Sequence, residues 1–173
     1  MKTTNQATIA QGPSATAEQP SGSALKLKRI LVPIDFSESS LKALRYAIPF
    51  AEESGATLYL VHVVEPASFV NDLPNVALAM PEEAVAKAAK EKLRSVAQKE
   101  IEELIPVYPE VRIGKAYEEI TVVAKSLNVD LIIIATHGYT GLKHAFLGST
   151  AERVVRHAGC PVLVVRQNER EFV

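Results

Sequence analysis

The chain has 173 residues, the length of a single globular domain. Nineteen basic and twenty acidic residues leave a net charge of −1, so a surface that recruits nucleic acid or a membrane is not expected. The single cysteine, Cys160, excludes an internal disulfide, and a metal site is not expected without a Cys/His cluster. Because no apolar run is long enough to span a bilayer and the first residues do not form a secretory signal, we predict a cytoplasmic protein.

Residues 1–26 differ in composition from the rest of the chain. They are rich in Thr, Gln, Ser, Ala, Gly and Pro and have no apolar periodicity. Such a composition is typical of a disordered tail, since it cannot bury enough apolar surface to offset the entropy lost on ordering. A regulatory or docking arm is the alternative. Residues 27–173 are predicted to form one domain.

The first half of this domain contains two predicted strands and one helix. Apolar runs predict strands over Ile30–Ile34 and Thr57–Val64. Between them, Ser37 stands at the N-cap position of a helix that Gly55 ends. Four apolar residues have the spacing of one helix face: Leu44, Ala47, Ile48 and Ala51.

The second half contains three further helices and three strands. Pro81 is predicted at the first position of a long helix, after a connection over residues 65–80. Strands are predicted over 106–114, 130–135 and 161–165, the last two buried on both sides. The predicted core stripe of the long helix is Val85, Ala89, Leu93, Val96, Ile101 and Leu104. The apolar faces of the two later helices are Ile120, Val123, Ala124 and Leu127, then Ala151, Val154, Val155 and Ala158.

Strands that alternate with helices predict an α/β fold with a doubly wound, five-stranded parallel sheet and helices on both faces. In such sheets, ligands bind beyond the carboxyl ends of the strands, at the point where the strand order reverses. The segments that directly follow the strands are therefore the candidates for a binding site.

The segment after the first strand contains Pro33 and Asp35. Pro33 removes a ladder hydrogen bond from a strand expected to be central, and such breaks of a local rule often lie at functional edges. Asp35 would then place a carboxylate at the mouth of the crevice, where it could accept from an amino group or a ribose hydroxyl. Alternatively, Asp35 helps to cap the following helix alongside Ser37. The sequence leaves both interpretations open.

The segment after the fourth strand, residues 135–150, has the features of a phosphate-binding loop. Small residues allow backbone amides to approach an anion closely, and a helix start offers free N–H groups and a favourable dipole. The small residues are Ala135, Gly138 and Gly141, and the helix start is Gly148-Ser149-Thr150. The alternative is a simple turn followed by a capped helix. The loop matches neither the Walker A pattern nor G-x-G-x-x-G.

Four segments carry a resemblance to a known family. They are Ile30–Ser37, Leu60–Val64, Thr136–Gly138 running on to Gly148–Thr150, and Pro161–Val165. Through them, about residues 28–167 resemble the universal stress proteins. The ATP-binding members of that family carry Gly, two residues, Gly, nine residues, then Gly-Ser/Thr. Here Gly138, nine residues and Gly148-Ser149 match, and Ala135 replaces the first glycine.

The resemblance implies the sheet order 3-2-1-4-5 and an adenine pocket. Asp35 would lie at the adenosine end, the Val63 backbone would pair with the base, and the glycine loop would hold ribose and phosphates of ATP, with Mg²⁺. The residues predicted to line this site are Pro33, Asp35, Val63, Ala135, Thr136, His137, Gly138, Gly141, Gly148, Ser149 and Thr150. The other three histidines are assigned to neutral surface or loop positions: His62, His144 and His157.

Three functions remain. The leading hypothesis is an ATP-binding stress-response module whose bound nucleotide changes its surface for an unknown protein partner. A slow nucleotide hydrolase on the same fold is the second, although no general base positioned for an attacking water is evident. A ligand-free dimeric interaction protein is the third, and Ala135 favours it. A homodimer is expected through residues 161–165, because this predicted edge strand carries neither a charge nor a bulge.

Overall fold

The computed structural model describes residues 26–66, 81–101, 103–136, 147–168 and 170. Nearly all of the predicted tail, most of the connection over 65–80 and residues 137–146 of the predicted phosphate loop lie outside these ranges. The described residues form five strands and four helices in the predicted order: β1 Arg29–Pro33, α1 Glu38–Ser54, β2 Thr57–Val64, α2 Glu82–Glu100, β3 Val107–Ile113, α3 Ala116–Ser126, β4 Leu131–Ala135, α4 Ser149–His157 and β5 Val162–Val165.

The five strands form one sheet in the order β3-β2-β1-β4-β5, and every pair is parallel. The predicted doubly wound fold and its strand order are therefore confirmed. β1 is the central strand: it pairs with β2 from Arg29↔Thr57 to Pro33↔Val61. Its pairing with β4 is much shorter and covers only Ile30↔Leu131 and Leu31↔Ile132.

Helices cover both faces of the sheet, and each face has its own apolar core. α1 and α2 pack on one face, where Leu44 and Leu93 are fully buried. α3 and α4 pack on the other face through Ile120 and Val154. Successive side chains of β1 alternate between the two faces, as a strand requires, with Leu31 on the α3/α4 side. Complete burial of one such side chain contributes about 1.5–3 kcal/mol.

The two predicted ends of α1 are confirmed. Ser37 is the N-cap, and its hydroxyl oxygen accepts from the Ser40 N–H at 3.2 Å. Gly55 ends the helix in the left-handed conformation, with φ of 67°. A side chain at this position would be strained, which explains the glycine.

Several details of the predicted helices are wrong. Pro81 is the N-cap of α2 rather than its first helical residue, and Ile101 leaves the helix in an extended conformation. Leu104 is therefore not on the helical stripe, and it is 90% exposed. Val85 lies in the first turn and is also exposed, since α2 is buried only from Ala89 onward. No helix in the described ranges is long and apolar enough to cross a membrane.

Two further burial predictions fail at the end of the chain. Val155 is exposed because α4 faces the sheet through its neighbours Ala151 and Val154. Residues 162–164 of β5 are only half-buried, whereas full burial was predicted. The reason is that β5 lies at the end of the sheet and has a neighbouring strand on one side only.

Candidate ligand-binding site

A crevice of about 320 Å³ opens where β1 and β4 separate, beyond the carboxyl ends of the strands. This is the point at which the strand order reverses, where doubly wound sheets bind ligands. Eight of the predicted site residues line it: Pro33, Asp35, Val63, Ala135, Thr136, Gly148, Ser149 and Thr150. The other three predicted residues lie outside the described ranges: His137, Gly138 and Gly141.

Pro33 leaves the pairing of the central strand with β2 intact and faces the side on which its pairing with β4 ends. The backbone N–H of Ile34 donates to Val61 O on the β2 side at 2.8 Å. Because neighbouring residues of a strand alternate in direction, Pro33 faces β4 instead. The pairing between β1 and β4 has already ended at Leu31. The missing N–H therefore falls where this pairing stops and the crevice opens, and the proline lies on the wall of the crevice.

Asp35 fulfils the capping interpretation and lines the crevice as well. Its Oδ1 accepts from the Ser37 N–H at 3.0 Å and from the Ser37 hydroxyl at 2.5 Å. Ser37 in turn caps α1, so the carboxylate is fixed at the start of that helix. Phe36, between the two, has a φ of 66°, in the left-handed region that non-glycine residues seldom adopt.

Val63 presents its backbone to the crevice. The last registered pair between β2 and β1 is Val61 with Pro33. Val63 lies two residues further along the same edge of β2, so its N–H and C=O point past the end of the ladder. Backbone groups in this position can pair with the edge of a planar base.

The start of α4 forms the opposite end of the crevice. Gly148 is the N-cap, and no side chain in the described part of the protein caps this helix. The Gly148 N–H donates to Thr136 O at 2.7 Å, and the Thr136 N–H donates to Val165 O at 2.9 Å. These bonds attach the helix start to the ends of β4 and β5. The N–H groups of the first turn, with the helix dipole, favour a bound anion here.

The start of α3 also reaches the crevice, and sequence analysis did not identify it. Glu65, the residue after β2, accepts from the Ala116 N–H through Oε1 at 2.7 Å, and both residues line the crevice. The N-cap residue of α3, Lys115, provides no side-chain cap of its own. Glu65 could have been identified from the rule that led to Asp35, since it also directly follows a predicted strand.

His62 was assigned to a surface or loop position, and this is wrong: it is half-buried on β2 and lines the crevice. Its Nδ1 lies 2.7 Å from Ile34 O, and its ring contacts Phe36 at 4.4 Å between centroids. Burial lowers the pKa of His62 below the usual 6.5. The imidazole is therefore neutral at pH 7. His157 is exposed at the end of α4, as predicted.

In the described ranges, no group of three or more His, Cys, Asp or Glu side chains could hold a metal ion. The polar groups that line the crevice include the α4 start with the Ser149 and Thr150 hydroxyls, the carboxylates of Asp35 and Glu65, and the His62 ring. This set is suited to a ligand with an anionic end and a hydrogen-bonding end.

Known proteins share both the sequence and the fold. The model of the universal stress protein family matches residues 26–166. Universal stress protein MJ0531 of Methanocaldococcus jannaschii is 35% identical, with 83% of this chain and 85% of the relative covered. Universal stress protein YxiE of Bacillus subtilis is 32% identical, with 80% and 98% covered. The solved structure of MJ0577 from M. jannaschii has a TM-score of 0.70 at 31% identity and covers 84% of this chain and 100% of its own. The chain therefore belongs to the universal stress protein family.

Proposed function

We propose that this protein binds ATP, with Mg²⁺, in the crevice, and that the bound nucleotide changes the surface offered to a protein partner during a cytoplasmic stress response. One observation carries the proposal: the start of α4, which no described side chain caps, and the carboxylate of Asp35 face the same crevice. Its volume of about 320 Å³ lies within the usual range for small-ligand sites.

The two ends of the crevice suit the two ends of a nucleotide. The α4 start, with the hydroxyls of Ser149 and Thr150, would receive the phosphates. At the other end, Asp35 would accept from a ribose hydroxyl, and the Val63 backbone would pair with adenine. Ala135 lines the crevice at the end of β4, so its methyl group belongs to the wall.

Structures with the same fold support an adenine nucleotide as the ligand class. One universal stress protein was solved in complex with cAMP, with a TM-score of 0.57 and 21% identity to this chain. The universal stress protein from Archaeoglobus fulgidus was solved in complex with dAMP, with a TM-score of 0.56 and 22% identity. Both ligands contain an adenine base and a single phosphate group.

We propose binding rather than efficient turnover. A general base must reach the attacking water with a free acceptor atom. In the proposed arrangement Asp35 and His62 lie at the nucleoside end of the crevice, away from the phosphates at α4, and Glu65 is tied to the α3 start by its hydrogen bond to the Ala116 N–H. Hydrolysis of ATP at about 1 s⁻¹ or faster, the range of ordinary enzymes, would contradict this proposal.

The direct test of binding has two steps. The purified protein is denatured and the supernatant analysed by chromatography, which detects any nucleotide retained from the cell. The emptied protein is then titrated with ATP and Mg²⁺ by calorimetry. Heat of binding and a rise in melting temperature are expected. The absence of both at about 1 mM ATP would refute the proposal, since that concentration corresponds to only about 4 kcal/mol of binding free energy.

A homodimer through β5 is the second part of the proposal. Pro161 and Val165 accept from β4 and its continuation, so Val162 and Val164 direct their backbone groups to the open edge. An antiparallel pair of β5 strands about a two-fold axis would satisfy these groups in both copies.

The alternation along β5 supplies a selective variant. Val164→Pro removes an N–H from the outer edge and no hydrogen bond to β4. Leu163→Pro is the control: the N–H of Leu163 faces β4, so this substitution disturbs the pairing within the sheet and not the outer edge. We expect a dimeric wild type and a folded, monomeric Val164→Pro variant by light scattering after size exclusion. A monomeric wild type, or a folded variant that stays dimeric, would count against this interface.

A further inference from the structure

The residues on both sides of Asp35 contact one side chain. His62 Nδ1 lies 2.7 Å from the carbonyl oxygen of Ile34, which precedes Asp35. The His62 ring lies against the ring of Phe36, which follows it, with 4.4 Å between centroids and 37° between planes. We propose that His62 is a positioning residue, which fixes the backbone around Asp35 so that the carboxylate meets the ligand. This inference rests on the nucleotide-binding function proposed above.

The turn at Asp35 has a conformation that requires support. Phe36 has a φ of 66°, and a non-glycine residue stays in this region only where its surroundings hold it there. The Phe36 ring packs against the core on the α1/α2 face and contacts His62 from β2 and the Lys92 ammonium of α2, which lies 4.2 Å from the ring centroid. Both contacts come from elements distant in sequence, and they add to the local hydrogen bonds that Ser37 donates to Asp35 across this turn.

The hydrogen bond between His62 and Ile34 O defines which nitrogen of the imidazole carries the proton. A carbonyl oxygen only accepts, so Nδ1 carries the proton and donates to Ile34. The charged groups that act on the ring are Asp35, which favours the protonated form, and Lys92, which opposes it. Burial is the largest effect and lowers the pKa, which agrees with a neutral, Nδ1-protonated ring at pH 7.

Asparagine and glutamine form a matched pair of substitutions. The side-chain amide of His62→Asn can place its N–H near the position of Nδ1, whereas the longer amide of His62→Gln reaches the position of Nε2. Both variants lose the ring, so a difference between them reports the hydrogen bond to Ile34. We expect ATP to bind His62→Asn within about threefold of wild type and His62→Gln about tenfold or more weakly, the loss of one good hydrogen bond.

Combining the His62 substitution with Asp35→Asn separates a positioning role of His62 from a general loss of stability. In Asp35→Asn, the loss caused by His62→Gln should shrink to less than about twofold, because the group being positioned is already changed. The melting temperature without nucleotide should fall equally in both backgrounds. An undiminished loss of affinity in Asp35→Asn, or equal affinities for His62→Asn and His62→Gln, would overturn the proposal.

A measurement without nucleotide keeps this test independent of the proposed function. The Ser37 N–H donates to Asp35 Oδ1 at 3.0 Å, so its amide resonance reports the position of the carboxylate. We expect this resonance to stay in place in His62→Asn and to move in His62→Gln, with the Ala116 amide at the α3 start as the unchanged reference. A Ser37 resonance unmoved in both variants would overturn the role of His62, even if wild type binds no ATP.

Discussion

Two helices, α3 and α4, begin at the same crevice and differ in how their first N–H groups are used. At α3, the Glu65 carboxylate accepts from the Ala116 N–H at 2.7 Å. At α4, the N-cap is Gly148, which has no side chain to offer, and none of the described residues caps the helix from elsewhere. Each helix start carries roughly half a positive charge; Glu65 offsets it at α3, and no described side chain does so at α4.

The difference defines a direction for the ligand. An anion that approached α3 would have to displace Glu65, and it would be repelled by that carboxylate. At α4 it would meet the N–H groups of the first turn and the hydroxyls of Ser149 and Thr150. We therefore expect the phosphates at α4 and the uncharged nucleoside towards β2. Substitutions that make one helix start resemble the other test this expectation.

The largest effect should come from giving α4 a carboxylate of its own. Gly148 has φ of −64° and ψ of 150°, which any residue can adopt, and aspartate is a favoured N-cap residue. In Gly148→Asp, the carboxylate should occupy the N–H groups that a phosphate would use and repel the phosphate as well. We expect ATP affinity to fall about 100-fold, or nearly 3 kcal/mol, in a calorimetric titration.

Two control variants separate charge from size at this position. Gly148→Ala adds only a methyl group, and Gly148→Asn adds a cap without a charge. Affinity should decrease in the order Ala, Asn, Asp, while the melting temperature of Gly148→Asp stays at or above that of wild type. If alanine weakens binding as much as aspartate, the methyl group is responsible, and the electrostatic explanation is wrong.

The converse change opens the start of α3. Glu65→Ala removes the cap on Ala116 and should lower the free energy of unfolding by about 1 kcal/mol, the usual value for a lost helix cap. Sulfate should then raise the melting temperature of the variant more than that of wild type. Glu118→Ala is the control: Glu118 lies in the first turn of the same helix but does not line the crevice. Equal responses to sulfate in Glu65→Ala and wild type would contradict the assigned difference between the helix starts.

The fold could be predicted well because its signals are local. The β2 strand, Thr57–Val64, was predicted residue for residue since an apolar run is bounded by Gly55 and Pro66. Leu104 shows the limit of this reasoning. Its spacing continues the apolar stripe of α2, but the helix ends at Glu100 without a glycine to mark the end. Periodicity indicates which face is apolar and gives no position for the end of a helix.

The residues that line the crevice could be predicted only where one segment contained the signal. Asp35 and the start of α4 follow directly from strand ends and a Gly-Ser-Thr sequence. The bond between Glu65 and Ala116 joins residues 51 positions apart, and His62 meets Ile34 across 28 positions. Such contacts depend on which strands are neighbours and on their register. Neither the strand order nor the register can be derived from one segment of a single sequence.

Acid pH should have the smallest effect on the protein. It acts through His62, on the face of the sheet opposite to α3 and α4. His62 contacts Phe36, which is also contacted by Lys92 of α2, whereas α3 and α4 lie on the opposite face of the sheet. Burial lowers the pKa of His62 in the folded protein, while the unfolded chain keeps the usual value of 6.5. Above that pH both states are neutral, and below it the unfolded state binds the proton first. Stability should therefore fall as the pH drops through about 6.5 and level off below the folded pKa.

His62→Asn provides the comparison, because its amide can keep the hydrogen bond to Ile34 and does not titrate. The free energy of unfolding, measured by urea denaturation between about pH 7.5 and 5.5, should decline less in the variant than in wild type. Throughout this range the Ala116 and Ser149 amide resonances should stay in place, since protonation of His62 leaves both helix starts unchanged. Equal declines in the two proteins would show that His62 is not the titrating group. Movement of the helix-start resonances in wild type alone would show that the two faces of the sheet are coupled, and the contrast between α3 and α4 would then depend on pH.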